Sequence, residues 1–195
     1  MKEISLTTFV DIVVASGISR STKARAALKD EKYHPAKDFY KPLRERIEEY
    51  HRRKIGKEYL LSFTSQLTDR KKEGNYSVLV DNYCKWIGRK EIEYFEPIHA
   101  KYGKENVAIR VNPELGLAIG EKRCLVKLYF KSEQLSKNKA DIILGLMQTS
   151  LQREYTMSVL DIRQRKLFTP TIEIPMLKEI VDAELSYISA FLHKQ

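Results

Sequence analysis

Glu114 and Lys127 are the residues whose types and spacing come nearest to chemistry. Asn112-Pro113 reads as a turn, Glu114 opens the extended run after it, and Lys127 stands on a later run in the triplet Leu125-Val126-Lys127. A carboxylate at the start of a strand offers hard oxygen to a divalent cation such as Mg²⁺. An ammonium beside it stabilises charge that develops on an attacked phosphate. Such a site asks for at least two carboxylates. Here Leu125 occupies the position two residues before the lysine, where a second acid belongs. Glu93 or Glu96, on the helix expected before these strands, is the substitute the chain offers. The competing reading makes Glu114 a surface acid beside a turn and Lys127 a solvated strand charge.

A second set of residues points to phosphate without cleavage. Basic clusters fall at Arg52-Arg53-Lys54 with Lys57, at Arg70-Lys71-Lys72, and at Arg89-Lys90, with Tyr50 and Trp86 close by. The net charge of +9 is unevenly placed: residues 1–104 hold 22 Lys and Arg against 15 Asp and Glu, residues 105–195 hold 13 against 11. A basic face attracts a nucleic-acid backbone or an acidic protein partner. Cations at helix C-termini are also favoured by the macrodipole, which accounts for the first two clusters without any ligand. No base-reading consensus is visible, so binding would follow shape and charge.

Other chemistries find little support. Cys84 and Cys124 have no Cys or His at ligand spacing, and the four histidines (His34, His51, His99, His193) are scattered. No metal site built on Cys or His is expected, and no cofactor other than Mg²⁺ under the cleavage reading. Nucleophile signatures and phosphate-cradling glycine loops are absent. Asp161, at the end of a strand, reads as a turn-closing acid. No apolar run reaches the length of a membrane span, and Asp11 interrupts the one N-terminal stretch that resembles a leader, so a cytoplasmic protein with no membrane partner is expected.

These residues must be positioned by an α+β fold. The first hundred residues carry helical periodicity: Leu6–Ser16, then a helix capped by Ser19 or Ser21, then Lys37–Lys54 with Phe39, Leu43, Ile47 and Tyr50 on one stripe. Glu58–Lys71 follows, then a break at Gly74-Asn75, a segment from Tyr76 to Ile87, and a short helix over Glu91–Tyr102 notched by Pro97. From Glu105 the period falls to two. Val107–Val111, Leu115–Ile119 and Val126–Phe130 predict a three-stranded antiparallel meander, with Val126, Leu128 and Phe130 on the core face. Ser136–Leu151 predicts a helix, Thr156–Ile162 a strand paired with Arg165–Phe168, and Pro175 opens a final helix. The division expected is a helical region over 1–104 and an α+β region over 105–195, whether or not the two form one compact domain.

Two resemblances attach to these segments. Phe9–Leu28, with Gly17 and the run Ile18-Ser19-Arg20-Ser21-Thr22, resembles a helix-turn-helix; Lys23, however, stands where an apolar anchor belongs, which favours two ordinary packed helices. The order helix, strand, strand, strand, helix, strand over residues 91–162 resembles the core of the restriction-endonuclease-like PD-(D/E)XK nucleases. That resemblance implies a metal-binding acid at the start of the second strand, met by Glu114, and an acid-x-Lys on the third, met only by Lys127. The first expectation for function is therefore a non-catalytic nucleic-acid-binding protein that uses a basic N-terminal face. The alternatives are a divergent Mg²⁺-dependent nuclease and a protein–protein module in a defence or regulatory complex.

Overall fold

A computed structural model describes residues 1–29, 38–152, 154–170 and 174–192. His34, Lys37 and His193, named above, lie outside the described residues. The elements run β1 (Lys2–Ser5), α1 (Leu6–Val14), α2 (Gly17–Leu28), α3 (Lys41–Arg52), α4 (Glu58–Ser65), α5 (Arg70–Ile87), β2 (Ile92–Phe95), β3 (Ala100–Lys104), β4 (Val107–Val111), β5 (Leu115–Ile119), β6 (Lys122–Tyr129), α6 (Lys137–Ser150), β7 (Thr156–Asp161), β8 (Lys166–Phe168) and α7 (Ile174–Ser189). The fold is α+β, with two mixed sheets.

Local chemistry sets several boundaries. Ser5 caps α1 by accepting from the Thr8 amide at 3.0 Å. Asp69 caps α5 by accepting from the amides of Lys71 and Lys72. Gly88, at φ +54°, ends α5 in a conformation that a residue with a Cβ resists. Gly74 and Asn75 do not break the chain: both lie inside α5, where the cap at Asp69 and the packing of Tyr76, Leu79 and Tyr83 outweigh the propensity cost of one glycine. The helix after Gly56 correspondingly stops at Ser65, and the second helix begins at Gly17, behind Ser16, rather than at Ser19 or Ser21.

The larger corrections concern pairing. Glu91–Tyr102 is two strands rather than a helix, because Ile92 and Tyr94 line up against the open edge of β5 while Ala100 and Tyr102 pair with β4. Nor do Val107–Val111 and Leu115–Ile119 form a meander. β4 sits between β1 and β3 in a three-stranded sheet, while β5 belongs to a five-stranded sheet in the order β2-β5-β6-β7-β8. Asn112-Pro113 therefore carries the chain from one sheet to the other. The antiparallel set that does form is β2-β5-β6, and α6 then crosses over to the parallel strand β7. The order helix, strand, strand, strand, helix, strand expected over residues 91–162 is therefore not met in its first half, where the helix is replaced by β2 and β3 and the first strand, β4, lies in the other sheet; β5, β6, α6 and β7 follow as expected.

The five-stranded sheet separates two cores. One face, with Leu115, Leu117, Val126, Leu128 and Phe130, is covered by α3, α4 and α5. The other, with Leu125, Tyr129, Met157 and Val159, is covered by α1, α6, α7 and the three-stranded sheet. Both faces of β6 are therefore dry, and the expectation of a single core face on this strand was too narrow.

Among the described glycines, Gly116 has the closest approach to a neighbouring strand. A Cβ there would lie 2.3 Å from the carbonyl oxygen of Phe95 and 2.6 Å from its ring. The oxygen is backbone in the paired strand, so it cannot yield without parting β2 from β5. Gly116→Ala is expected to cost about 1–3 kcal/mol of stability, as overpacking of a core does. Urea denaturation checks it, and a variant as stable as the parent would contradict the close approach.

Candidate functional site

Glu114 and Lys127 meet. Lys127 Nζ donates to Glu114 Oε1 and, at 3.2 Å, to the hydroxyl of Thr7 on α1. The second carboxylate oxygen accepts from the backbone amide of Leu128 at 2.8 Å, and Arg44 Nε of α3 stands 3.9 Å from the first. The side chains are 4% and 11% exposed, so neither is the solvated charge that the competing reading expected. Four elements supply this knot: α1, α3, the start of β5 and β6.

Its chemistry is that of a buried, hydrogen-bonded ion pair. Both oxygens of Glu114 already serve a donor, and the ammonium is turned toward protein. Leu125, where a second metal-binding acid belongs, is fully buried in the core formed with α6. Of the proposed substitutes, Glu93 is exposed on β2, while Glu96 borders the cleft of about 1190 Å³ that opens above Glu114 between α3 and the three-stranded sheet. The cleft walls mix signs, with Glu48, Asp38 and Asp11 facing Arg44, Arg110 and Lys131. Burial raises the Glu48 carboxyl above its usual range; Arg52 pulls it down, and Glu96, Glu45 and Glu114 push it further up. Among the described residues, no three His, Cys, Asp or Glu side chains are grouped so as to hold a metal ion.

The basic residues fall into two patches at opposite ends of α5. At its C-terminal end, Lys57 Nζ donates to the carbonyl of Gly88 at 2.6 Å, which draws the chain after α3 against the chain after α5. This brings Lys57, and the end of α3 that precedes it with Arg52, Arg53 and Lys54, toward the segment that carries Arg89 and Lys90. Part of that charge is already spoken for. Arg52 pairs with Glu48 and Glu96, Arg53 with Glu49, and Lys90 Nζ donates to the Trp86 carbonyl 4.9 Å from the indole centroid. Lys54 and Arg89 are exposed and without an ion-pair partner among the described residues.

The other patch, Arg70-Lys71-Lys72, lies at the N-terminus of α5, not at the C-terminus of the helix expected before Gly74. Lys72 lies 6.0 Å from the ring centroid of Phe39, while Arg70 and Lys71 are exposed with no side-chain partner among the described residues. The macrodipole therefore does not explain these cations, although the Asp69 cap and Glu73 set carboxylates in the same turn.

The helix-turn-helix resemblance does not carry a reading face. Arg20 of α2 pairs with Glu184 and lies 4.2 Å from the Tyr187 ring centroid, and Ser21 hydrogen-bonds Tyr187 at 3.1 Å. The Ser- and Arg-bearing side of α2 is thus turned onto α7. Asp161 closes a turn, as its position suggested: it accepts from the amides of Leu135 and Gln164 at 3.2 and 3.1 Å. Thr7 and Arg44 were missed as members of the central knot. Thr7 carries no local signal, since its partner is 120 residues away. No described helix is long and apolar enough to cross a membrane. Comparison with known protein families finds no match, and neither does comparison with curated proteins.

Proposed function

We infer that this protein binds nucleic acid without cutting it, through the cations at the two ends of α5, with the Glu114–Lys127 pair as internal structure. The observation that carries this reading is Arg70 and Lys71 at the positive end of an 18-residue helix. Folding does not reward cations there, whereas a phosphate backbone does. Lys54 and Arg89 add a second contact of the same sign.

The test is fluorescence anisotropy of a labelled duplex across ionic strength. Each phosphate contact contributes about 0.9 to the slope of log affinity against log salt, so Arg70→Ala/Lys71→Ala is expected to flatten the slope by ~2. Thermal melting of that variant should be unchanged or slightly raised, since the substitutions relieve an unfavourable dipole contact. Absence of binding at low salt, with an acidic protein copurifying instead, would replace this reading with the protein–protein one.

A second reading has one observation in its favour. Glu114 opens the second strand of the nuclease-like order and touches the lysine of the third. If the pair is catalytic, Mg²⁺ or Mn²⁺ supports cleavage of plasmid DNA and Glu114→Gln abolishes it; intact plasmid under both metals removes this alternative.

A further inference from the structure

The two patches are held at a fixed distance, and the surface between them selects among nucleic acids. An 18-residue helix rising ~1.5 Å per residue spans about 26 Å. Arg70 and Lys71 stand at one end, and Arg89 stands just beyond the other. Lys54 precedes by three residues Lys57, whose Nζ bonds the Gly88 carbonyl immediately before Arg89. The span is set by a continuous helix whose buried face, Tyr76, Leu79, Tyr83 and Trp86, is locked into the core. It does not adjust to its ligand.

Between the patches the exposed side of α5 presents Gly74, Ser77, Asp81 and Lys85, spaced three and four apart and hence in one row, with the half-exposed Val78 beside it and the exposed Glu73 at its edge next to Arg70. Two residues of the row are small. The carboxylate of Asp81 is neutralised by Lys85 at 2.6 Å, so it raises no net repulsion against phosphate. All the aromatic residues of α5, Tyr76, Tyr83 and Trp86, are buried. Unpaired bases are held chiefly by stacking on exposed aromatic rings, and this row offers none. A duplex needs no ring: it is a stiff rod with phosphates at regular intervals, and its persistence length far exceeds this span.

The geometry points to double-stranded nucleic acid lying along the exposed side of α5 and bridging both patches, with a minimal site of about eight base pairs at ~3.4 Å each. This rests on the binding reading above and adds to it the form of the ligand and its length.

Anisotropy with labelled duplexes of graded length, six to sixteen base pairs, tests it beside a sixteen-nucleotide single strand. Affinity should step up about tenfold between duplexes too short to reach both patches and those of about ten pairs, as expected for a second contact made intramolecular. Beyond that only the number of registers grows. Arg70→Ala/Lys71→Ala should remove the step and weaken short duplexes by no more than about twofold, the statistical loss of one of two patches, and Lys54→Ala/Arg89→Ala should do the same from the other end. Smooth growth of affinity with length, a step that survives either double substitution, or tighter binding of the single strand overturns the bridge while salt-dependent binding itself persists. If no nucleic acid binds at low salt, both the bridge and the binding reading fall.

Discussion

Lys127→Ala is expected to destabilise the fold by about 3–5 kcal/mol, the cost of leaving one member of a buried ion pair without the other. The magnitude follows from where the pair sits. Lys127 is 3% exposed within the five-stranded sheet, and the Leu128 amide anchors the inner oxygen of Glu114, so the carboxylate must give up that bond to turn toward the cleft when the ammonium is removed. Arg44 at 3.9 Å is held by Asp38 and offers only partial compensation. The double variant Glu114→Gln/Lys127→Met tests the cause. The glutamine oxygen still accepts from Leu128, the methionine fills the lysine stem's volume, and no charge remains, so most of the lost stability should return. Urea titration of the single and double variants gives the coupling directly. A loss under ~1 kcal/mol in Lys127→Ala, or a double variant as weak as the single, would mean that water reaches the pair and that it is not structural.

Acid is expected to weaken the fold through His51. This ring is 6% exposed beneath α5 and shares a 2.7 Å hydrogen bond with the Tyr83 hydroxyl, itself fully buried. Burial pushes the imidazole from 6.5 down to about 4. Above pH 6.5 the ring is neutral whether the chain is folded or not, so its contribution is constant. As pH falls from 6.5 toward 4, the unfolded chain takes up a proton that the folded one refuses, and stability is lost. At ~1.36 kcal/mol per pH unit the loss across that window reaches about 3 kcal/mol. Glu3 and Glu49 are held low by hydrogen bonds from Lys101 and Tyr59, and their contributions fade only as pH falls below 4.5. Glu48, raised by burial, acts in the opposite sense and favours the fold as it takes up its proton. The comparison that isolates His51 is therefore with His51→Gln, whose amide oxygen accepts from Tyr83 at every pH. The variant's stability should be nearly flat from pH 6.5 to 4.5 where the parent's falls; parallel curves would assign the loss to other groups.

What was legible in the sequence was what local periodicity encodes. The alternation at Val107, Ile109 and Val111, the stripe on α6, the β7–β8 hairpin and the final helix were all readable because neighbours in sequence share a face. Glu114 and Lys127 could be picked out as candidates from the order of elements, but the sequence left open whether they meet or stand solvated. Pairing between distant segments was not legible. Glu91–Tyr102 holds too few residues per strand for alternation to be heard over Pro97, and only the edges of β5 and β4 make it extended. The same holds for the state of the central pair, which depends on Thr7 and Arg44 closing over it. Arg70-Lys71-Lys72 was misread by one sign. Gly74 looked like a helix end, so the cations were placed at a negative pole; the Asp69 cap puts them at a positive one.

The parallel pairing of Lys2–Ser5 with Val107–Arg110 has a consequence for the order of events in the cell. That ladder joins segments more than a hundred positions apart, and its loop-closure entropy must be met before any of its hydrogen bonds form. On the ribosome, β1 has no partner until β4 has left the exit tunnel, long after α1 to α5 have emerged and become free to pack. Ile4 must remain uncommitted throughout that interval. The strand that is made early is completed late, and the three-stranded sheet cannot close before Val107–Arg110 has been synthesised.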